Sequence, residues 1–279
     1  MSTATSYSIE NYDTNIWDII KSDKVNIYIG EIDHLSPGKV HLADGTALES
    51  DALLAHTGWI QTPNITFLPL GIEKDLSIPS ISTNNSSELI PSDQQSALDQ
   101  ADAAIVRQFP ILAQGPANPL PASSQPGLQG KNGSFMLHHF IVPSTERFLK
   151  SRDIAFVGFA SCFSNAITAH LQGLWVSAYF NGQLTRDPSA AVGDEKALEI
   201  VRREAVLHNR FGKWRYPADW GTSRAPSFIF DAVPYLDLLL RDLDLAWRRK
   251  GWFWREISSP YKPGDYRTVN EEWQAKHRV

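Results

Sequence analysis

One cysteine, two methionines and no apolar run near the roughly 20 residues of a membrane-spanning helix set the first limits on this 279-residue chain. The lone thiol, Cys162, excludes an internal disulfide and any cysteine-cluster metal site, and it fits a reducing compartment. Positive charge is not in excess. A formal charge of -5 argues against a nucleic-acid partner, because phosphate binding needs a basic surface. The first residues have neither the basic start nor the apolar core of a signal peptide, so a cytoplasmic location is the expectation. No two of the 17 glycines are separated by a single residue, so no GxG is present to bring backbone against a pyrophosphate. GxSxG, a phosphate loop and His/Cys metal spacing are absent too, so no metal site is expected.

What is present is a globular composition, 42% hydrophobic, with nine Trp, thirteen Phe and eight Tyr to build a core. Ile16, Trp17, Ile19 and Ile20 can face one way on a short helix. Alternation of Val25, Ile27 and Ile29 predicts a half-buried strand over Lys24–Leu35. Lys39–Ala43 is a second strand, and Asp44-Gly45 reads as a tight turn leading into Thr46–Leu48. Asp51–His56 reads as a buried strand closed by Thr57-Gly58. Ser80–Ser87 reads as loop, Ser92–Phe109 as a helix, and the five prolines between Pro110 and Pro126 as an irregular linker. Ser134–Val142 and Asp153–Phe159 are strand candidates. Helices are predicted over Ser164–Phe180, with Ala166, Ala169, Gly173, Val176 and Phe180 on one face and Leu171, Leu174, Trp175 and Ala178 beside it, and over Glu195–Asn209. A third spans Ser227–Leu243, bent or started at Pro234, and a polar one lies near Val269–Lys276.

Two of these segments resemble flavin-dependent monooxygenases. Lys39–Trp59 (KVHLADGTALESDALLAHTGW) is similar to the strand, hairpin and strand that return the chain to the flavin domain, although His56-Thr57-Gly58 stands where ATG is usual. Asp153–Leu184 resembles the last flavin-domain strand and the helix after it, with Gln172 and Trp175 at the matching positions. Arg203–Val279 resembles the C-terminal extension of fungal members, through FGKWRYP, FDAVPYLDLLLRDL and PYKPGDY. The resemblance implies the C-terminal half of such a protein, without its dinucleotide-binding motifs. The expected fold class is α+β, derived from α/β: the remnant of a flavoprotein sheet, built from 25–59, 134–142 and 153–159, with a mainly helical C-terminal subdomain around Trp214, Phe230 and Leu239. The expected domains are a small β unit at 1–79, a linker with one helix at 80–133, and remnant flavin-domain strands plus helices at 134–279.

Candidate site residues follow. Asn165 and Gln172, on the helix where the family places flavin and substrate, form a candidate catalytic pair, with capping and core satisfaction as the competing reading. His138 is a candidate acid or base. On one strand it and His139 would point to opposite faces, one inward and one outward. Trp59, Phe140, Cys162, Trp175, Trp214, Tyr216 and Trp220 are candidate walls of an apolar substrate site, though such density is more often core. Spacings of six and five put Asp231, Asp237 and Asp242 on no common face, so solvated positions are expected.

Three functions are compatible with this pattern. The first is a cofactor-independent cyclase on a degenerate flavin monooxygenase scaffold in fungal secondary metabolism, such as a Diels-Alder-type [4+2] catalyst for a small hydrophobic substrate. The second is a fragment or split half of an FAD/NADPH-dependent monooxygenase, with FAD only where a partner chain supplies the missing half. The third is a non-catalytic binder of a hydrophobic metabolite. A homodimer would cover surface that a partner domain normally hides.

Overall fold

The computed structural model describes residues 15–22, 24–55, 65, 67–69, 71–76, 92–114, 136–160, 162, 164–215, 228 and 231–277. They form a mixed α+β fold, and the chain divides mainly into two compact units, Thr5–Ile60 and Gln61–Val279.

In the first unit, helix α1 (Ile16–Ile20) starts where the Asn15 side chain accepts the Trp17 N–H. Strands β1 (Ile32–Ser36), β2 (Lys39–Leu42) and β3 (Ala47–Glu49) form an antiparallel meander. The Asp44-Gly45 turn is as expected: Gly45 takes φ +88°, which a residue with a Cβ resists, and Asp44 accepts the Thr46 N–H. Val40 and Leu42 fill the buried face. The strand expected over Lys24–Leu35 begins only at Ile32, because only the later half meets a pairing partner. Val25, Ile27 and Ile29 are exposed, Ile29 almost completely at 97%. Asp51–Ala55 is irregular and exposed rather than a buried strand. His56 to Trp59 lie outside the described residues, as does 80–87.

The second unit holds α2 (Ile72–Asp75), α3 (Ser92–Gln108), the two-stranded hairpin β4 (Leu137–His138) and β5 (Val142–Pro143), and α4 (Glu146–Ser151). Helices α5 (Asn165–Phe180), α6 (Glu195–Arg215), α7 (Ala232–Asp242), α8 (Phe253–Ser258) and α9 (Val269–His277) follow. Leu171, Trp175, Leu198, Leu236, Leu239 and Leu240 lie in one apolar core. Asp102 of α3 receives the guanidinium of Arg210 on α6 at 2.6 and 2.5 Å, and the Trp214 indole N–H at 2.9 Å. Near the C-terminus the Arg249 guanidinium forks onto both carboxylate oxygens of Glu272.

Several expectations are corrected here. Ser134–Val142 is not one strand: the chain reverses at His139 and Phe140, both left-handed at φ 49° and 61°. Asp153–Phe159 is irregular. Its Phe156 N–H bonds to the Ile141 carbonyl, and Ile154, Phe156 and Phe159 pack with Leu76, Leu137 and Phe148. Among the described residues the single expected sheet is therefore two separate small ones. Helix α5 buries Thr168, Leu171, Gln172, Trp175, Ala178 and Tyr179, so the inward side is the Leu171, Trp175 and Ala178 side, while Ala166, Ala169, Gly173 and Phe180 are exposed. Helix α6 runs six residues past Asn209, and α7 starts at Ala232 with Pro234 in its first turn, where a missing N–H is harmless. Phe230 lies outside the described residues, and Leu239 is core as expected.

Candidate functional site

Four elements converge on one buried polar cluster. Helix α6 buries Leu198, Val201, Ala205, Asn209 and Gly212, a stripe spaced by three and four residues. One position ahead of two of these, Glu204 and His208 sit one turn apart and flank that stripe. Helix α7 buries Tyr235, Leu236, Leu239 and Leu240, and the same face carries Asp242. Helix α5 contributes Gln172 and Trp175. The β4–β5 hairpin contributes His138 and His139, brought together by the left-handed turn. Both imidazoles are buried, at 4% and 3% exposure, with ring centroids 3.8 Å apart, which overturns the expectation that one points outward.

His139 Nε2 lies 2.9 Å from Asp242 Oδ2, and the Trp175 indole N–H donates to the same oxygen at 2.9 Å. Glu204 lies between two further imidazoles, with Oε2 3.9 Å from His138 Nδ1 and Oε1 4.0 Å from His208 Nε2. Below them the Tyr235 hydroxyl donates to the His139 carbonyl at 2.8 Å and accepts from Gln172 Nε2 at 2.7 Å. Gln172 Oε1 in turn accepts the Gly158 N–H at 3.1 Å. This chain of bonds holds the strained His139 backbone in place.

Burial governs the charges. Desolvation first, and neighbouring imidazoles second, hold His138 and His139 well below the usual histidine range; desolvation pushes His208 down to about 4. All three imidazoles are therefore neutral at pH 7. Asp242, at the C-terminal end of α7 where the helix dipole disfavours an anion, is pushed up to about 6, chiefly by desolvation. Burial also raises Glu204. Since Nε2–H of His139 faces Asp242, its Nδ1 carries a bare lone pair. Nδ1 of His138, His139 and His208 are all buried without a hydrogen-bond partner. Such a set can accept a proton or hold a cation.

The sequence candidates fall in different places. His138 belongs to the cluster. Gln172 and Trp175 are sealed supports of it, both at 0% exposure, and Phe140 is core at 1%. Cys162 is buried against the Thr168 hydroxyl, with Sγ to Oγ1 2.9 Å. Asn165 is exposed at the start of α5, and Trp214 is half-buried on Asp102. Trp59, Tyr216 and Trp220 lie outside the described residues. Asp242, expected to be solvated, is 2% exposed and central; Asp231 and Asp237 are half-buried. Spacing in sequence could not bring His139 to Glu204 and His208, which are 65 and more positions away.

No family model matches this chain, and no solved structure does. Curated proteins do: the chain is similar to fungal proteins named FAD-dependent monooxygenases. FAD-dependent monooxygenase rstn6 of Aspergillus nomiae is 30% identical over 267 residues, which cover 95% of this chain and 42% of that one. FAD-dependent monooxygenase resA of Aspergillus sclerotiorum is 32% identical over 270 residues, with 95% and 43% covered. FAD-dependent monooxygenase avaB of Aspergillus versicolor is 26% identical over 288 residues, with 94% and 38% covered. The chain thus spans about two fifths of the length of these relatives. The resemblance read from Lys39–Trp59, Asp153–Leu184 and Arg203–Val279 agrees with this similarity, which runs along 95% of the chain. Among the described residues no helix is long and apolar enough to cross a membrane.

Proposed function

We propose that this chain is the substrate-side part of an FAD-dependent monooxygenase acting on an apolar fungal metabolite, with the pyrophosphate of FAD gripped by residues other than these 279. The observation that carries this reading is similarity along 95% of the chain to proteins of that name.

The residues present do not fit the dinucleotide themselves. A pyrophosphate needs glycines that let backbone N–H groups approach at a helix N-terminus, and no GxG occurs in the sequence. The glycine N–H groups ahead of α5 and α6 are spent internally, Gly158 on Gln172 and Gly193 on Glu146. The start of α6 is closed by Asp194, whose carboxylate accepts the Lys196 and Ala197 N–H groups and would repel a phosphate. No step through a flavin is therefore assigned to this chain. Its own contribution is the rigid core and the Asp242–His139 pair, which fixes an imidazole in one tautomer.

The same missing GxG supports a second reading, a flavin-free cyclase that shapes an apolar intermediate for a [4+2] reaction. Phe140 and Trp175 are sealed in the core, so its walls would come from other residues. Isolation of the protein from its producing cells, through a tag on Val279, separates the two. A flavin-bearing complex or longer polypeptide that contains these peptides and consumes NADPH supports the first reading. A colourless 31.2 kDa species that cyclises a polyene without NADPH supports the second and overturns the first.

A further inference from the structure

We propose that His139, Glu204 and His208 bind a divalent transition-metal ion of the zinc class, with His138 beside them as a fourth donor. One ligand atom from each of the three lies within 4.8 Å of the others. Neighbouring donors on a four-coordinate ion are about 3.4 Å apart, given bonds of about 2.0–2.1 Å. Side-chain rotations moving each donor by about an ångström close the site around an ion.

Three independent features favour ligation over passive packing. Glu204 and His208 are one helical turn apart, so both side chains reach the same point beside α6. His139 is the third member of the group, and Asp242 holds its Nε2 and leaves Nδ1 without a partner, the carboxylate–histidine arrangement that orients imidazole ligands around metals. Finally, Nδ1 of His138, His139 and His208 are buried and unpartnered, whereas interiors seldom leave polar nitrogens unpaired. Neutral imidazoles are the ligating form, so no proton need leave on binding. Two imidazoles and a carboxylate suit zinc, cobalt or ferrous iron and disfavour magnesium and calcium, which prefer all-oxygen shells. The site runs from the buried His139 beside Trp175 to the half-buried Glu204 and His208, and it uses no residue of the dinucleotide-binding kind, so it stands or falls apart from the flavin.

The test is titration of the chelator-stripped full chain with Zn2+ by calorimetry and with Co2+ by visible absorption. One ion per chain is expected, with the intense ligand-field bands of a four-coordinate cobalt site, and no saturable uptake of Mg2+. Glu204→Gln and His208→Asn should each weaken Zn2+ binding by about a hundredfold or more, and Asp242→Asn by about 10–100-fold, the usual penalty for losing an outer-shell partner. His170→Gln on exposed α5 surface and His34→Gln in the first unit should change nothing. X-ray absorption of the zinc-loaded wild type should show at least two imidazole ligands, a readout that does not depend on variants folding. Absence of saturable binding, binding that survives Glu204→Gln and His208→Asn, or a zinc shell without two imidazoles would each overturn the assignment.

Discussion

Replacing Tyr235 by Phe removes one oxygen and tests whether the bond chain beneath His139 holds the cluster. Tyr235 is 2% exposed and Gln172 0%, so no bulk water reaches the vacated position. The Gln172 amide N–H then loses its acceptor and the His139 carbonyl its donor. A buried polar group stripped of its partner costs about 1–3 kcal/mol, so two cost roughly 2–6, with about 3 kcal/mol expected. In a domain of this size that lowers the melting temperature by roughly 6–12 °C. Urea unfolding followed by tryptophan fluorescence measures the difference. The double variant with Gln172→Met should be less destabilised than the sum of the single variants, because the amide is then no longer left unsatisfied. A Tyr235→Phe protein within about 0.5 kcal/mol of wild type would refute the claim that this network supports the site.

Two further outcomes are expected. Asp242→Asn should gain stability relative to wild type as pH rises. The folded carboxyl is raised from 3.8 to about 6, so its contribution is complete below pH 3.8 and lost as pH climbs through 6. That difference corresponds to about 3 kcal/mol between pH 4 and 8, measured by denaturation in chelator, and parallel curves for the two proteins would contradict the burial argument. Asp102→Ala breaks the fork with Arg210 and the Trp214 bond, and should cost roughly 2–4 kcal/mol in urea unfolding; a neutral result would show that α3 docks on α6 through apolar contacts alone.

Local patterns in the sequence told most about the helices and least about the cluster. Helix α5, the Asp44-Gly45 turn and α9 follow from periodicity and turn chemistry, which act over a few residues. The strand expected across Ser134–Val142 failed because an apolar run does not show a reversal at His139 and Phe140, residues that rarely take left-handed backbone. Asp242 was misplaced by comparison with the other aspartates. Measured instead from Leu239, three positions earlier, it falls on the buried stripe of α7. The juxtaposition of His139 with Glu204, His208 and Asp242 is set by packing among the hairpin, α6 and α7. No signal local to any one of these segments contains it.

The central claim is that FAD's pyrophosphate finds no grip on these 279 residues. Equilibrium dialysis of the recombinant chain against FAD, with absorbance read on both sides, tests it most directly. The account predicts equal flavin on the two sides at every protein concentration. Saturable retention of one FAD per chain would contradict it.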